Sequence, residues 1–187
     1  MKKLLPILLL LVLLTGCFNE GPDVTIPSET PAPSDTNVPS DLTMAQIIDL
    51  ICQDVEVPAY EAAELTDENF EYSAFIPYEE GLTGYKADAL INATAHSLVL
   101  IHSENGNTAD LAQKILDNAN PFKWICVSAE VTQTAYTEHY VILVMSSAEI
   151  VEGLIDNFQS AVNDGDATIL DSVSVDLLAI NSEFIAD

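Results

Sequence analysis

Leu98-Val99-Leu100-Ile101 is an unbroken apolar run of strand length, and Tyr140-Val141-Ile142-Leu143-Val144-Met145 is the most hydrophobic strand in the globular part of the chain. Side chains of a strand alternate between its two faces. A strand with no polar interruption therefore has to be covered on both sides. This demand limits the possible folds more than any other feature, and the neighbouring segments have to supply the cover.

Thr43-Met44-Ala45-Gln46 has the form of a capping box, and Met44, Ile47, Ile48, Ile51 and Val55 recur at helical spacing after it. Pro58 stops this first helix. From Ala59 to Tyr85 the pattern is poor. Thr66-Asp67-Glu68-Asn69 could cap a short helix, while Pro77, Gly81 and Gly84 break any long element. Ala87–Asn92 and Ser97–His102 read as two strands about a short turn. Gly106-Asn107-Thr108 then ends the second strand and caps a helix with Leu111, Ala112, Ile115, Leu116 and Ala119 on one side, closed by Asn120-Pro121. Val127, Ala129 and Val131 alternate with Ser128, Glu130 and Thr132, the period of a half-exposed strand. A hairpin turn at Tyr136–Glu138 leads into the Tyr140 strand. Ser146-Ser147-Ala148-Glu149 reads as a second capping box, opening a helix that carries Val151, Leu154, Ile155, Phe158 and Val162 on one face. The pattern predicts an α+β fold: a four-stranded, mainly antiparallel sheet with helices packed on it, in the order α-β-β-α-β-β-α. Residues 42–187 suit one domain, and the pattern leaves 163–187 undecided between strand and helix.

The amino terminus has a different character. Lys2 and Lys3 precede an apolar run from Leu4 to Leu14, which is the charged and hydrophobic pattern of a signal peptide and falls short of the about 20 residues that span a bilayer. The run ends in Leu14-Thr15-Gly16-Cys17, which resembles the lipobox of bacterial lipoproteins. That resemblance implies a diacylglyceryl group (with a further acyl chain such as palmitate) on Cys17 and cleavage before it, making 1–16 a lipoprotein signal peptide. Two acyl chains give stable attachment where one is marginal. Residues 17–41 follow as a linker with Pro22, Pro27, Pro31, Pro33 and Pro39 among Ser, Thr, Asn and acids, a composition too polar to bury a core. At about 3.1 Å per residue when fully extended, the linker can hold a domain several tens of Å from the membrane.

Beyond Cys17 the chain keeps Lys86, Lys114 and Lys123 against 30 acidic residues and has no arginine. Nucleic acid is disfavoured as a partner, because its binding depends on cations that neutralise phosphates. So acidic a surface favours solubility and cationic or neutral partners. With Cys17 lipidated, Cys52 and Cys126 remain in a compartment that permits disulfides, and they read either as a pair or as two buried thiols.

Several groups could carry chemistry. The segment from Tyr60 to Tyr85 gathers Phe and Tyr residues, and its Tyr72, Tyr78, Tyr85, Glu79 and Glu80 make a possible ligand loop. With Glu68, the same carboxylates could form the acid and base of a hydrolase. His102 closes one expected strand and His139 opens another, so the two imidazoles can meet, and with Cys126 or an acid they could hold zinc. His96 is the remaining imidazole. No ligand pair has the close spacing of a typical metal site, and neither a metal nor a cofactor is expected. Asn163-Asp164-Gly165-Asp166 resembles a calcium loop, but with Gly165 in the central position Val162 would fall at a ligand position. Gly81-Leu82-Thr83-Gly84-Tyr85-Lys86 is too short for a phosphate loop. Asn92-Ala93-Thr94 has the form of a glycosylation acceptor, without the eukaryotic pathway to use it.

The whole pattern resembles a group of lipoproteins from Gram-positive Firmicutes defined by a shared domain of unknown function. The best-matching parts are Ile91-Asn92-Ala93-Thr94-Ala95-His96-Ser97-Leu98-Val99-Leu100-Ile101 and His139-Tyr140-Val141-Ile142-Leu143-Val144-Met145-Ser146-Ser147. The resemblance implies fold and location and brings no activity. The expectation is a lipid-anchored protein on the extracytoplasmic face of the cell membrane. It would act as a non-catalytic binding or accessory module of the cell envelope, with an envelope protein or small molecule as partner. A hydrolase and a structural assembly protein are the competing readings.

Overall fold

A computed structural model describes residues 42–91 and 93–175. The expected signal peptide, the expected lipidation site Cys17, the expected linker up to Asp41, Asn92 of the acceptor sequence and residues 176–187 lie outside the described residues.

The two apolar strands lie side by side at the centre of an antiparallel sheet. They are β3 (Ser97–Ser103) and β5 (Tyr140–Ser146), in the register Leu98↔Val144, Leu100↔Ile142 and His102↔Tyr140. Leu98, Leu100, Ile142 and Val144 point to one face. They pack there against Ile47, Ile48 and Ile51 of helix α1 (Met44–Ile51) and Val151, Leu154, Ile155 and Phe158 of helix α4 (Ala148–Val162). Val99, Ile101, Val141, Leu143 and Met145 point to the other. Leu111, Ala112 and Ile115 of α3 (Thr108–Asn118) cover them, with Phe70 and Ala74 of α2 (Asp67–Ala74). The result is three layers, with helices on both sides of the sheet.

The four-stranded expectation is corrected. Among the described residues the α+β fold has a seven-stranded sheet and four helices in the order α-β-α-β-β-α-β-β-α-β-β. The strand order is β1-β2-β3-β5-β4-β6, where β1 is Tyr60–Glu64, β2 Leu82–Ala89, β4 Val131–Tyr136 and β6 Thr168–Ile169, and β7 (Val173–Ser174) also pairs with β4. Strand β1 sits at an edge and is largely exposed, so Tyr60-Glu61-Ala62-Ala63-Glu64 carries no apolar alternation. With two residues each, β6 and β7 are too short to leave a periodic signal.

Strand β2 starts five residues before the expected Ala87, because Gly84 does not break it. A Cβ at Gly84 would lie 2.8 Å from Leu65 Cδ1 and 2.9 Å from Phe70 Cε2. The glycine lets those two side chains reach the strand's backbone. Strand β4 lies later than the alternation at Val127–Thr132 implied. Residues before Val131 are held as a loop, in which Ala129 N donates to Pro121 O (3.0 Å).

The Thr43 capping box forms as expected: Thr43 N donates to Gln46 Oε1 (2.9 Å) and Gln46 N to Thr43 Oγ1 (3.3 Å). The Ser146–Glu149 box does not. Ser146 is still in β5 and buried, the N-cap is Ser147, and the orphan amide of Ala148 donates instead to Glu130 Oε2 (3.1 Å) just ahead of β4. A carboxylate from outside the helix thus satisfies the positive end of its dipole.

The two-sided core predicts a sharp contrast between buried and exposed hydrophobic residues. Phe158→Ala, at a fully buried ring, should lower the unfolding free energy by about 3–5 kcal/mol. Ile125→Ala, at a fully exposed side chain, should change it by less than about 0.5 kcal/mol. Urea denaturation of both variants checks the pair.

Candidate functional site

In β2, Lys86 and Asp88 are two residues apart and so share a face, and Asp88 lies opposite Ser97 of β3. Lys86 Nζ is 3.0 Å from Asp88 Oδ2. The loop after α3 then brings in a second cation. Phe122 N donates to Asn120 Oδ1 (2.9 Å) and Lys123 N to Asn120 O (3.1 Å), a turn that directs Lys123 inward. Its side chain is only 5% exposed. Lys123 Nζ donates to Ser97 Oγ (2.8 Å) and lies 3.5 Å from Asp88 Oδ1. The latter is an ion pair too long for a hydrogen bond, so Asp88 Oδ1 is buried without a hydrogen-bond partner among the described residues.

Three rings surround the ammonium, Trp124 with its centroid 5.0 Å away and Tyr72 and Phe75 at 5.9 Å each, within the range of cation–π attraction. Burial pulls the Lys123 pKa below its usual value, and the Asp88 charge opposes that shift. Burial alone would raise the Asp88 pKa, but Lys123, the Ser97 hydroxyl and Lys86 outweigh it and the carboxyl is lowered. Beside this group opens a cavity of about 370 Å³ lined by Tyr72, Asp88, Lys123, Trp124, Ile125 and Cys126.

His96, the residue before β3, is wholly buried, with Nδ1 3.1 Å from Ser146 Oγ and Nε2 without a partner among the described residues. Burial is the main reason its pKa is pushed down to about 4, and the ring is neutral at pH 7.

The residues expected to form one ligand loop are dispersed. Tyr72 lines the Lys123 cavity. Tyr78 makes an edge-on contact with Phe70, centroids 5.6 Å apart. Tyr85 packs on the α1/α4 face, its hydroxyl 3.5 Å from Glu64 Oε2. Glu79 and Glu80 border a separate cavity of about 230 Å³ with Asn105, Asp110 and Lys114, and Glu68 is exposed on the first turn of α2. Lys123, Asp88, Ser97 and Trp124 were not singled out by pattern. The available signal was scarcity: of the three lysines after Cys17, two converge on one carboxylate.

The register does bring His102 and His139 together, ring centroids 6.2 Å apart and nearly parallel, with Tyr140 against His102 at 5.0 Å. Asp164, in the turn after α4, holds the hairpin between β4 and β5: its Oδ2 accepts from His139 N (2.6 Å) and Thr137 Oγ1 (2.8 Å), and its Oδ1 lies 3.1 Å from His139 Nδ1. Burial would raise the Asp164 pKa, but these donors prevail and it is lowered. Glu138, His139 and Asp164 each offer a ligand atom, all within 4.8 Å of one another. Cys126 lies in the other cavity. The expectation of two buried thiols or a disulfide is corrected, since Cys52 is buried in the α1/α4 core, Cys126 is exposed and both are free.

No family model, curated protein or solved structure matches this chain.

Two titrations check these environments. The unfolded His96 imidazole protonates near 6.5 and the folded one only at about 4, so the unfolded chain binds the extra proton first and stability falls as pH drops through that window. An imidazole NMR titration should show His96 neutral down to the lower value. The Asp164 carboxyl has its folded pKa below the unfolded one, so its contribution is present above the ordinary carboxylate range and is lost as pH falls through the lowered value. Asp164→Asn should therefore be less stable than wild type at neutral pH, with the difference closing as pH falls below the ordinary carboxylate range, as measured by urea denaturation across pH.

Proposed function

We propose that the chain is a lipid-anchored lipoprotein of the extracytoplasmic face of a bacterial cell membrane, and that its globular domain is a non-catalytic binding module of the envelope. The anchor rests on Lys2, Lys3, the apolar run to Leu14 and Cys17, and the resemblance to Firmicutes lipoproteins supports the same location. The binding role is carried by one observation. Lys123 is a buried cation that borders an open cavity walled by Tyr72 and Trp124.

A buried charge costs several kcal/mol unless it is paired and hydrogen-bonded. Removing Lys123 and Asp88 together would leave a cheaper wall. A charged group held beside an apolar cavity has the make-up of a small-molecule site, apolar in its lining with a few placed polar groups. The binding reading is favoured over a hydrolase built on Glu79 and Glu80, because those carboxylates line a different cavity from Tyr72.

Both halves of the reading have a direct test. Cys17→Ala should move the protein from the membrane pellet to the soluble fraction and abolish fatty-acid labelling, and an unchanged distribution would refute the anchor. Thermal-shift screening of the full chain against small metabolites should give hits that raise the melting temperature and are weakened by Tyr72→Ala. Hits that ignore Tyr72, or turnover of glycan or peptide substrates by the chain, would refute the binding-module reading.

A further inference from the structure

We propose that the Lys123 cavity takes a small anion, a carboxylate or phosphate group carried on a flat apolar body, with the anionic group at Lys123 and the body between Tyr72, Trp124 and Ile125. This deepens the binding-module reading and rests on it.

The first argument is charge. Beyond Cys17 the chain has three lysines against 30 acidic residues. Two of those lysines, Lys86 and Lys123, meet at the single carboxylate of Asp88. The cluster has one positive charge left over, with His96 neutral beside it, so the local sign is opposite to that of the chain. Surface charges farther off are screened over about 8 Å at physiological salt. A ligand in the cavity therefore meets the local excess first.

The second argument is donor capacity. An ammonium has three N–H groups. Ser97 Oγ accepts one at 2.8 Å, and Asp88 Oδ1 at 3.5 Å is beyond hydrogen-bond range. The remaining neighbours are the faces of Trp124, Tyr72 and Phe75, which attract a cation but accept no full hydrogen bond. An anionic oxygen in the cavity would supply the missing acceptor, and charge-assisted hydrogen bonds are the strong ones.

The third argument concerns the walls. An aromatic cage of this kind ordinarily suits a cationic ligand, but here Lys123 already occupies it, so an incoming cation would meet a like charge. Tyr72 is 64% exposed and Ile125 fully exposed at the cavity. They offer apolar surface to the ligand's body, and the volume of about 370 Å³ lies at the small end of the range for ligand pockets.

Trp124 is the only tryptophan of the chain and forms part of the wall, so its emission reports occupancy. The full chain in neutral-detergent micelles would be titrated with four probes that share one ring: benzoate, phenyl phosphate, benzamide and benzylamine. Excitation at the red edge of the indole band avoids their absorption. A saturable change is expected for benzoate or phenyl phosphate, and which of the two binds more tightly separates the carboxylate from the phosphate source. Benzamide and benzylamine should bind at least about tenfold more weakly, the difference made by a charge-assisted hydrogen bond. In the Lys123→Met chain, where Lys86 and Asp88 cancel, the preference for the anion should vanish. Tyr72→Ala, at an exposed ring outside the core, should weaken all four probes together.

Equal or tighter binding of benzamide or benzylamine would overturn the anion assignment and leave a binding site in place. No saturable response to any probe would overturn the site as well. If the Lys123→Met variant fails to fold, the wild-type comparison of benzoate with its neutral amide still decides.

Discussion

The fold depends on the need to cover β3 and β5 on both faces. Leu98 and Leu100 go one way and Val99 and Ile101 the other, and Ile142/Val144 and Leu143/Met145 repeat the division on the neighbouring strand. Leaving either side to water would expose several large aliphatic side chains, each worth about 1.5–3 kcal/mol when buried. Four amphipathic helices supply the cover in two pairs. The α1/α4 pair is further tied by a polar contact: Asn157 Nδ2 donates to Ile51 O (3.0 Å) and Gln53 O (2.9 Å), closing the carbonyl end of α1 from another helix.

The sheet's margins follow a different logic. An open strand edge invites pairing with other chains, and proteins blunt it with short strands and charges. One margin here is β1, with Glu61 and Glu64. The other carries β6 and β7, two residues each. Polar chemistry also gathers where the apolar strands end. Asp88 and Ser97 stand at the end of the β2–β3 ladder, and Lys123 enters there from the loop after α3. At the opposite end, His102, His139 and Asp164 meet around the β4–β5 hairpin. The Lys123 site joins a partly buried ion pair to aromatic faces and an open cavity. Asp164 mainly ties the hairpin to the end of α4.

Periodicity read the interior well. Helices α1, α3 and α4 and strands β3 and β5 each carry an apolar pattern strong enough to stand on its own, and Thr43 with Gln46 marks a helix start through a contact within four residues. Gly84 misled because a glycine in sequence reads as a break, whereas in the sheet it is the space Leu65 and Phe70 fill. Ser146 and Glu149 misled because the box they suggest is local, and a distant carboxylate, Glu130, took the role. In the candidate site, Tyr72 was noticed for its ring but grouped with Glu79 and Glu80, whose side chains line another cavity.

From the residue order alone came the charged and apolar amino-terminal run, the acid excess and the apolar strands that demand a layered core, because each is a property of neighbouring residues or of overall composition. The seven-strand order, the assignment of each helix to a face and the meeting of Lys123 with Asp88 and Ser97 came from tertiary packing. Those three side chains lie on separate elements up to 35 positions apart. Their attraction is a Coulomb and hydrogen-bond energy that depends on distance in space, and only the folded sheet makes that distance short.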